Sequence, residues 1–187
     1  DIPLQHISDN LLHSMRRGTT TKKTKDLIRK FRRDVPGITI RTTLMVGYPG
    51  ETEEEFEDTL NIARKVGFNF SFMFKYSSRP GTKASEYTDQ ISEEVKQNRL
   101  ERLIALQLEN TLEQNRRSIG KTLKVLIEKS SKKSENQWAG RTEGNMWVVF
   151  DKGNESVGDL VDVKIEDAKG VTLFGINVSQ EYRYEVA

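Results

Sequence analysis

The sequence contains no cysteine. Disulfides, a thiolate nucleophile and an iron–sulfur cluster held by this chain's own side chains are thereby excluded. Histidine is nearly as scarce: His6 and His13 are the two present, too few donors for a zinc site of the usual kind. No apolar run approaches the ~20 residues needed to cross a bilayer. The opening Asp1-Ile2-Pro3-Leu4 has no basic and then apolar leader. A cytoplasmic protein without a membrane partner is expected. An initiating Met is also missing, and the first residues read as the inside of a strand, as expected of a piece of something longer. Nor is there an excess of one charge, since 30 Lys and Arg face 28 Asp and Glu.

What is there is an ordinary globular composition, 35% hydrophobic and 31% charged over 187 residues, with room for one large domain or two small ones. The charge is unevenly placed. Residues 1–50 hold ten Lys and Arg against four acids, and residues 51–58 then carry six acids. The basic stretch is either a solvated helix face or a surface turned towards a polyanion.

Turn and periodicity signals divide the chain. After Ile2-Pro3-Leu4 comes a polar turn, and Ser8 or Asp9 can cap a helix with Leu11, Leu12 and Met15 on one face, stopped by Gly18. Thr21 to Arg33 predicts a second helix, broken by Pro36-Gly37. Ile38 to Val46 is a nearly continuous apolar and β-branched run, suited to a covered parallel sheet. Thr52 caps the next helix, with Glu55 at the capping-box position, and Phe68 to Tyr76 is another strand. Strand, helix and strand in this order predict a parallel α/β unit. Ser92 then caps a long helix, from Glu93 to the neighbourhood of Ser118. Beyond Gly120 the character changes. Leu123–Ile127, Trp138–Arg141, Met146–Phe150, Leu160–Ile165 and Thr172–Val178 are short strands between polar turns, which predicts a small antiparallel barrel. The expected domains are residues 1–119 and 120–187.

Four constellations could carry chemistry. The turn Val46-Gly47-Tyr48-Pro49-Gly50-Glu51-Thr52 ends a parallel strand, at the edge where α/β folds bind ligands, or is a plain turn with a helix cap. The turn from Pro3 to Asp9 lies on the same edge and offers Gln5, His6 and Ser8, with His6 either pocket-facing or a hydrogen-bonded structural residue. Alternation sends Arg41 and Thr43 to one side of their strand and Thr42 to the other, so Arg41 is paired, faces a cavity or sits at an edge in solvent. In the small barrel Lys132, Lys133, Trp138, Arg141, Trp147 and Phe150 mix cations with aromatics, a combination that suits RNA. Residues 120–187 nevertheless carry ten basic and eleven acidic groups, and both tryptophans could equally be core.

DIPLQHISDNLLHSMRRG, IRTTLMVGYPGETEEEF, FMFKYSSRPGT and EEVKQNRLERLIALQLENTLEQNRRSIGKT, in this order, resemble the methylthiotransferase family of radical-SAM enzymes. Residues 120–178 resemble that family's TRAM domain, an OB-like barrel. The resemblance implies a three-part parent: an N-terminal domain with its own cluster, a radical-SAM barrel, and TRAM. It implies S-adenosyl-L-methionine and [4Fe–4S] clusters as cofactors, a 5′-deoxyadenosyl radical, and insertion of a methylthio group into an unreactive C–H bond. This chain departs from the pattern in lacking cysteine, so both cysteine sets would precede Asp1. Alone it is expected to be inactive, and its open strand edge is expected to make it unstable or self-associating. The turn from Met45 to Glu51 resembles the element that passes backbone to the adenine, which nominates Val46, Gly47, Gly50 and Glu51. Gln5, Ser8, Arg41 and Thr43 would line the same cavity. Lys132, Lys133, Trp138, Arg141 and Trp147 would meet the substrate.

The family's branches differ in substrate, and the sequence resembles two of them. The blocks up to GYPGET look like the branch called RimO, which modifies an aspartate of a small-subunit ribosomal protein. FMFKYSSRPGTKA and the TRAM segment look like the branch called MiaB, which modifies an isopentenylated adenosine beside the tRNA anticodon. A chimera and a divergent member both fit the mixture. The larger share points to tRNA as partner, with the ribosomal protein as alternative and a non-catalytic RNA-binding module as the reading from another class.

Overall fold

Side-chain caps set the first elements. Strand β1 (Ile2–Gln5) leads to Ser8, whose hydroxyl accepts the Leu11 N–H and opens helix α1 (Asp9–Ser14). Thr20 likewise accepts from Lys23 and opens α2 (Thr21–Asp34). Strand β2 (Arg41–Val46), helix α3 (Glu53–Val66), strand β3 (Phe70–Lys75) and helix α4 (Glu93–Arg116) follow. These come from a computed structural model that describes residues 1–178. Strand β2 begins later than the apolar run from Ile38 predicts. The Ile40 N–H is given to the Asn69 side chain at 3.0 Å instead of to a neighbouring strand.

The chain divides into two compact units, Asp1–Asn110 and Thr111 onward. In the first, β1, β2 and β3 form a parallel sheet in that order. One face is packed: Leu4, Leu44 and Val46 are buried with Ile28, Phe56, Leu60, Ala63, Phe68, Leu103 and Leu106. In β2 alternate side chains are buried, and in β3 Ser71 is buried and Met73 half-buried on the same side, which puts the residues between them on the other face. There Arg41, Thr43 and Met45 are half-buried, while Phe70, Phe72 and Phe74 are 43%, 41% and 53% exposed.

In the second unit, strands β4 (Thr122–Ser130), β5 (Gln137–Thr142), β6 (Trp147–Asp151), β7 (Leu160–Lys169) and β8 (Thr172–Asn177) close in the order β4-β5-β6-β8-β7. Four pairings are antiparallel, and β6 with β8 is parallel. A closed ring with an odd number of strands cannot alternate throughout, so one parallel pair is a condition of closure. Val125, Ile127, Val148, Phe150, Val163, Ile165 and Leu173 fill the interior. Register shifts at Ile127/Lys129 and Ile165/Asp167 sharpen the bend, and each faces a glycine. A Cβ on Gly140 or Gly175 would lie 2.2 Å from the carbonyl oxygen of Leu126 or Lys164. The end of α4 belongs to this unit, since Leu112 packs on the barrel core and Asn115 donates to the Gly170 carbonyl at 3.0 Å.

Among the described residues no helix is long and apolar enough to cross a membrane, and no three His, Cys, Asp or Glu side chains are grouped to hold a metal ion.

Candidate functional site

The C-terminal edge of the parallel sheet is built around one buried carboxylate. Glu51, in the turn after β2, accepts from His6 Nε2 at 2.8 Å, from Arg99 Nη1 at 2.7 Å and from the Gly47 N–H. His6 Nδ1 accepts the Ser8 N–H at 3.0 Å, so the ring proton sits on Nε2. His6 is therefore a hydrogen-bonded interior residue. A second carboxylate ties the same turns from outside. Glu55 closes the capping box with Thr52, and one of its oxygens accepts from the Ser8 hydroxyl at 2.7 Å and from the Asn10 amide at 3.2 Å. Burial pushes the Glu55 carboxyl up, but the Thr52 N–H and the Ser8 and Asn10 side chains outweigh it and hold the pKa below the ordinary value.

The residues that the sequence nominates for the cofactor fall into three places. Val46, Gly47, Gly50, Glu51 and Ser8 form the frame of the edge. Val46 is in the core, Gly47 packs on the stem of Lys96, and Gly50 donates its N–H to the Asp89 carbonyl at 3.0 Å. Arg41 and Thr43 lie on the open sheet face. Arg41 is at the start of β2, the end away from the glycine turn, where it bonds Asp1 at 2.7 Å and lies over the Phe72 ring. Gln5 alone lines the one cavity described on this edge, and it does so with φ at 69°.

That cavity has a volume of about 380 Å³ and is lined by Gln5, Ser14, Met15, Arg16, Arg17, Met45, Tyr48, Tyr76, Lys83 and Tyr87. Its aromatic wall is orderly: Tyr76 and Tyr87 stand edge-on to Tyr48, with ring centroids 5.3 and 6.5 Å away. Tyr76 is buried, and its hydroxyl has no hydrogen-bond partner among the described residues. Arg16 holds a left-handed backbone with φ at 56°, uncommon for a residue with a side chain. Gln5 and the turn that holds Met45 and Tyr48 were nominated from the sequence, whereas Arg16, Arg17, Tyr76 and Tyr87 were not. The signals for these were the two arginines that follow α1 and the tyrosine that closes β3.

The barrel unit carries a second constellation. Arg141 and Trp147 are cross-strand partners, and the guanidinium lies 4.4 Å from the centre of the indole ring. Lys129 Nζ lies 4.5 Å from the same ring. Asn145 accepts from Arg141 Nη1 at 2.8 Å and fixes it. Trp138 leans inward against the barrel core, with Lys152 Nζ 4.1 Å from its ring and its indole N–H buried without a partner among the described residues. Lys132 and Lys133 are exposed in the turn between β4 and β5, outside this cluster. Lys129 and Lys152 are the cations at the rings, and hairpin register was the signal for Lys129: its partner Ala139 stands two residues from Arg141 on the same face.

Comparison with known proteins agrees with both halves of this layout. Residues 1–63 match the Radical SAM superfamily and residues 116–178 the TRAM domain. A tRNA-2-methylthio-N(6)-dimethylallyladenosine synthase of Porphyromonas gingivalis is 46% identical over 175 residues, 93% of this chain and 38% of that protein. The protein of the same name from Carboxydothermus hydrogenoformans is 42% identical over 177 residues, 95% of this chain and 40% of that one. A ribosomal protein uS12 methylthiotransferase RimO of Phocaeicola vulgatus is 45% identical over 182 residues, 93% of this chain and 41% of that one. The chain thus spans between 38% and 41% of the length of these curated relatives. With a radical-SAM segment followed by a TRAM barrel, and this identity over nearly all its length, the chain belongs to the radical-SAM methylthiotransferase family.

Proposed function

We propose that the chain is the closing part of the catalytic barrel (residues 1–119) and the TRAM domain (residues 120–187) of an enzyme that adds a methylthio group to tRNA. The acceptor is the isopentenylated adenosine beside the anticodon, and the location is the cytoplasm. The observation that carries this reading is 42–46% identity to tRNA-modifying relatives over both the radical-SAM and the TRAM segments. In the barrel unit, an indole with two cations at its ring suits RNA, because bases stack on aromatics and phosphates take the cations.

S-adenosyl-L-methionine, with a [4Fe–4S] cluster, supplies the one-electron chemistry that activates a C–H bond in such enzymes. The cluster finds no ligand here, since the chain has no cysteine, and its thiolates would come from elsewhere in the parent. The chain by itself is then inactive. The cofactor does fit. The cavity volume of about 380 Å³ lies within the range of roughly 300–1,000 Å³ usual for small-molecule sites. Its Met45 and tyrosine walls suit an adenine, and the buried Tyr76 hydroxyl has no partner among the described residues. Gln5, Met45, Tyr48 and Tyr76 would hold the cofactor, with Ser8, Val46, Gly47, Gly50 and Glu51 keeping the edge in shape behind them.

The relative acting on ribosomal protein uS12, at 45% identity, favours that protein as a second reading. Titration of the chain separately with tRNA lacking the methylthio group and with purified uS12 decides between them. The tRNA is expected to bind, more weakly as salt rises, and Trp147→Ala to weaken it about tenfold. Binding of uS12 without binding of tRNA would overturn the first reading in favour of the second.

A further inference from the structure

Residues 16–33 contain nine Lys and Arg and a single acid, Asp26. Most of these residues form α2, a 14-residue helix about 21 Å long at 1.5 Å per residue. Thr24 and Ile28 are its buried side. At 3.6 residues per turn, Lys22, Arg29 and Arg33 stand above one another on the opposite side, with Lys23 and Lys30 in a parallel row. Some of this charge is already engaged. Arg29 pairs with Asp26 at 3.0 Å, Arg33 with Asp34 at 2.8 Å, and Arg32 donates to the carbonyls of Val66 and Gly67. Lys22, Lys23 and Lys30 are exposed and have no ion-pair partner among the described residues, and the same is true of Arg16 and Arg17 at the cavity. On the next helix Glu53 and Glu57 pair with Arg99 and Arg102 of α4, while Glu54 and Asp58 are exposed, and none of these acids forms an ion pair with the α2 lysines among the described residues.

We propose that the outward face of α2, headed by Arg16 and Arg17, is a phosphate-binding surface for the RNA backbone, distinct from the aromatic cluster of the barrel unit. The inference rests on the tRNA reading above and deepens it. Phosphate neutralisation supplies most of the affinity and the salt dependence of nucleic-acid binding. The barrel unit is poorly equipped for that, since residues 120–187 hold ten basic groups against eleven acidic ones. Residues 16–33 are strongly equipped for it, and the positive end of the α2 dipole adds to the same field. The chain therefore divides the work: one unit stacks and orients, and the other attracts.

The test is the salt dependence of binding, with a fluorescent anticodon stem–loop RNA and the whole chain. A triple variant, Lys22→Gln with Lys23→Gln and Lys30→Gln, removes the unpaired charges from exposed positions and keeps most of each stem. The slope of log Kd against log salt is expected to fall by about two in this variant, and Lys→Arg replacements at the same positions to leave it unchanged. The loss should be alike for stem–loops of different sequence. Trp147→Ala should weaken binding without altering the slope. RNA bound by the triple variant with the parental slope would overturn this inference and leave the tRNA reading intact. Failure of the parent chain to bind RNA at any salt would overturn both.

Discussion

Arg99 Nη1 of α4 lies 2.7 Å from Glu51 Oε2, with 6% and 0% of the two side chains exposed. The pair joins the long helix to the glycine turn after β2, and Glu51 also accepts from His6 and the Gly47 N–H. Taking away one member leaves a buried charge without its counterpart, at a cost of about 3–5 kcal/mol. Glu51→Ala and Arg99→Met are each expected to destabilise the first unit by that order, measured by circular dichroism in urea. The double variant should cost less than the sum of the two. An unchanged midpoint for either single variant would contradict the interior role.

Gly47 meets two constraints at once. Its φ is 72°, and a Cβ there would lie 2.4 Å from Lys96 Cγ. Gly47→Ala is therefore expected to cost about 1–2 kcal/mol in backbone strain alone, plus the displacement of Lys96. Adding Lys96→Ala relieves only the displacement, so a double-mutant cycle in urea should show a favourable coupling. No coupling would mean that the two do not touch.

Acid should loosen the link between the two turns. The Glu55 pKa is held below its ordinary 4.5 in the folded chain, so its stabilisation is complete above that pH and disappears as pH falls through the lower folded value. Glu53, held low chiefly by the hydrogen bond from Arg102, follows the same rule. Stability is thus expected to be flat in this respect above pH 4.5 and to decline below it. Glu55→Gln should make the decline shallower without abolishing it. Denaturation at a series of pH values reads this directly, and an equally steep decline in the variant would contradict it.

Tyr76 offers a test of opposite sign. Its hydroxyl is buried without a partner among the described residues, and an unsatisfied group of this kind costs about 1–3 kcal/mol. Tyr76→Phe is expected to leave the melting temperature unchanged or to raise it. A lower melting temperature would show that the hydroxyl has a partner.

Local chemistry was legible in the sequence, and long-range pairing was not. The Thr52 cap and the Thr52–Glu55 box are set by neighbours in the chain and stand as read, and of the two caps offered for α1, Ser8 and Asp9, the structure uses Ser8. Alternation correctly put Arg41 and Thr43 on one face of β2 and the buried Thr42 on the other, but not the Asp1 partner 40 positions away. Glu51 reads as a ligand contact because it sits in a glycine turn at a sheet edge. Its interior role depends on Arg99, 48 positions later, which nothing local announces. A cavity at this edge with Gln5 in its wall was expected, but Tyr76 and Tyr87 were missed for the same reason, since Tyr87 approaches Tyr48 only after the loop that follows β3 turns back to the edge. The sequence reading of an antiparallel barrel holds for four pairings and fails for β6 with β8, which are parallel. Five strands in a closed ring require one such pair, but the strand order that decides which pair it is depends on long-range contacts.

The central claim is that this chain takes hold of tRNA, and the emission of Trp147 tests it most directly. The chain has 2 tryptophans, both in the barrel unit, so in a Trp138→Phe variant Trp147 is the sole emitter. Titration with an anticodon stem–loop RNA should quench that emission to saturation, with an apparent Kd that weakens as salt rises. Emission that stays constant while the RNA's own anisotropy reports binding, or no binding at low salt, would contradict the account.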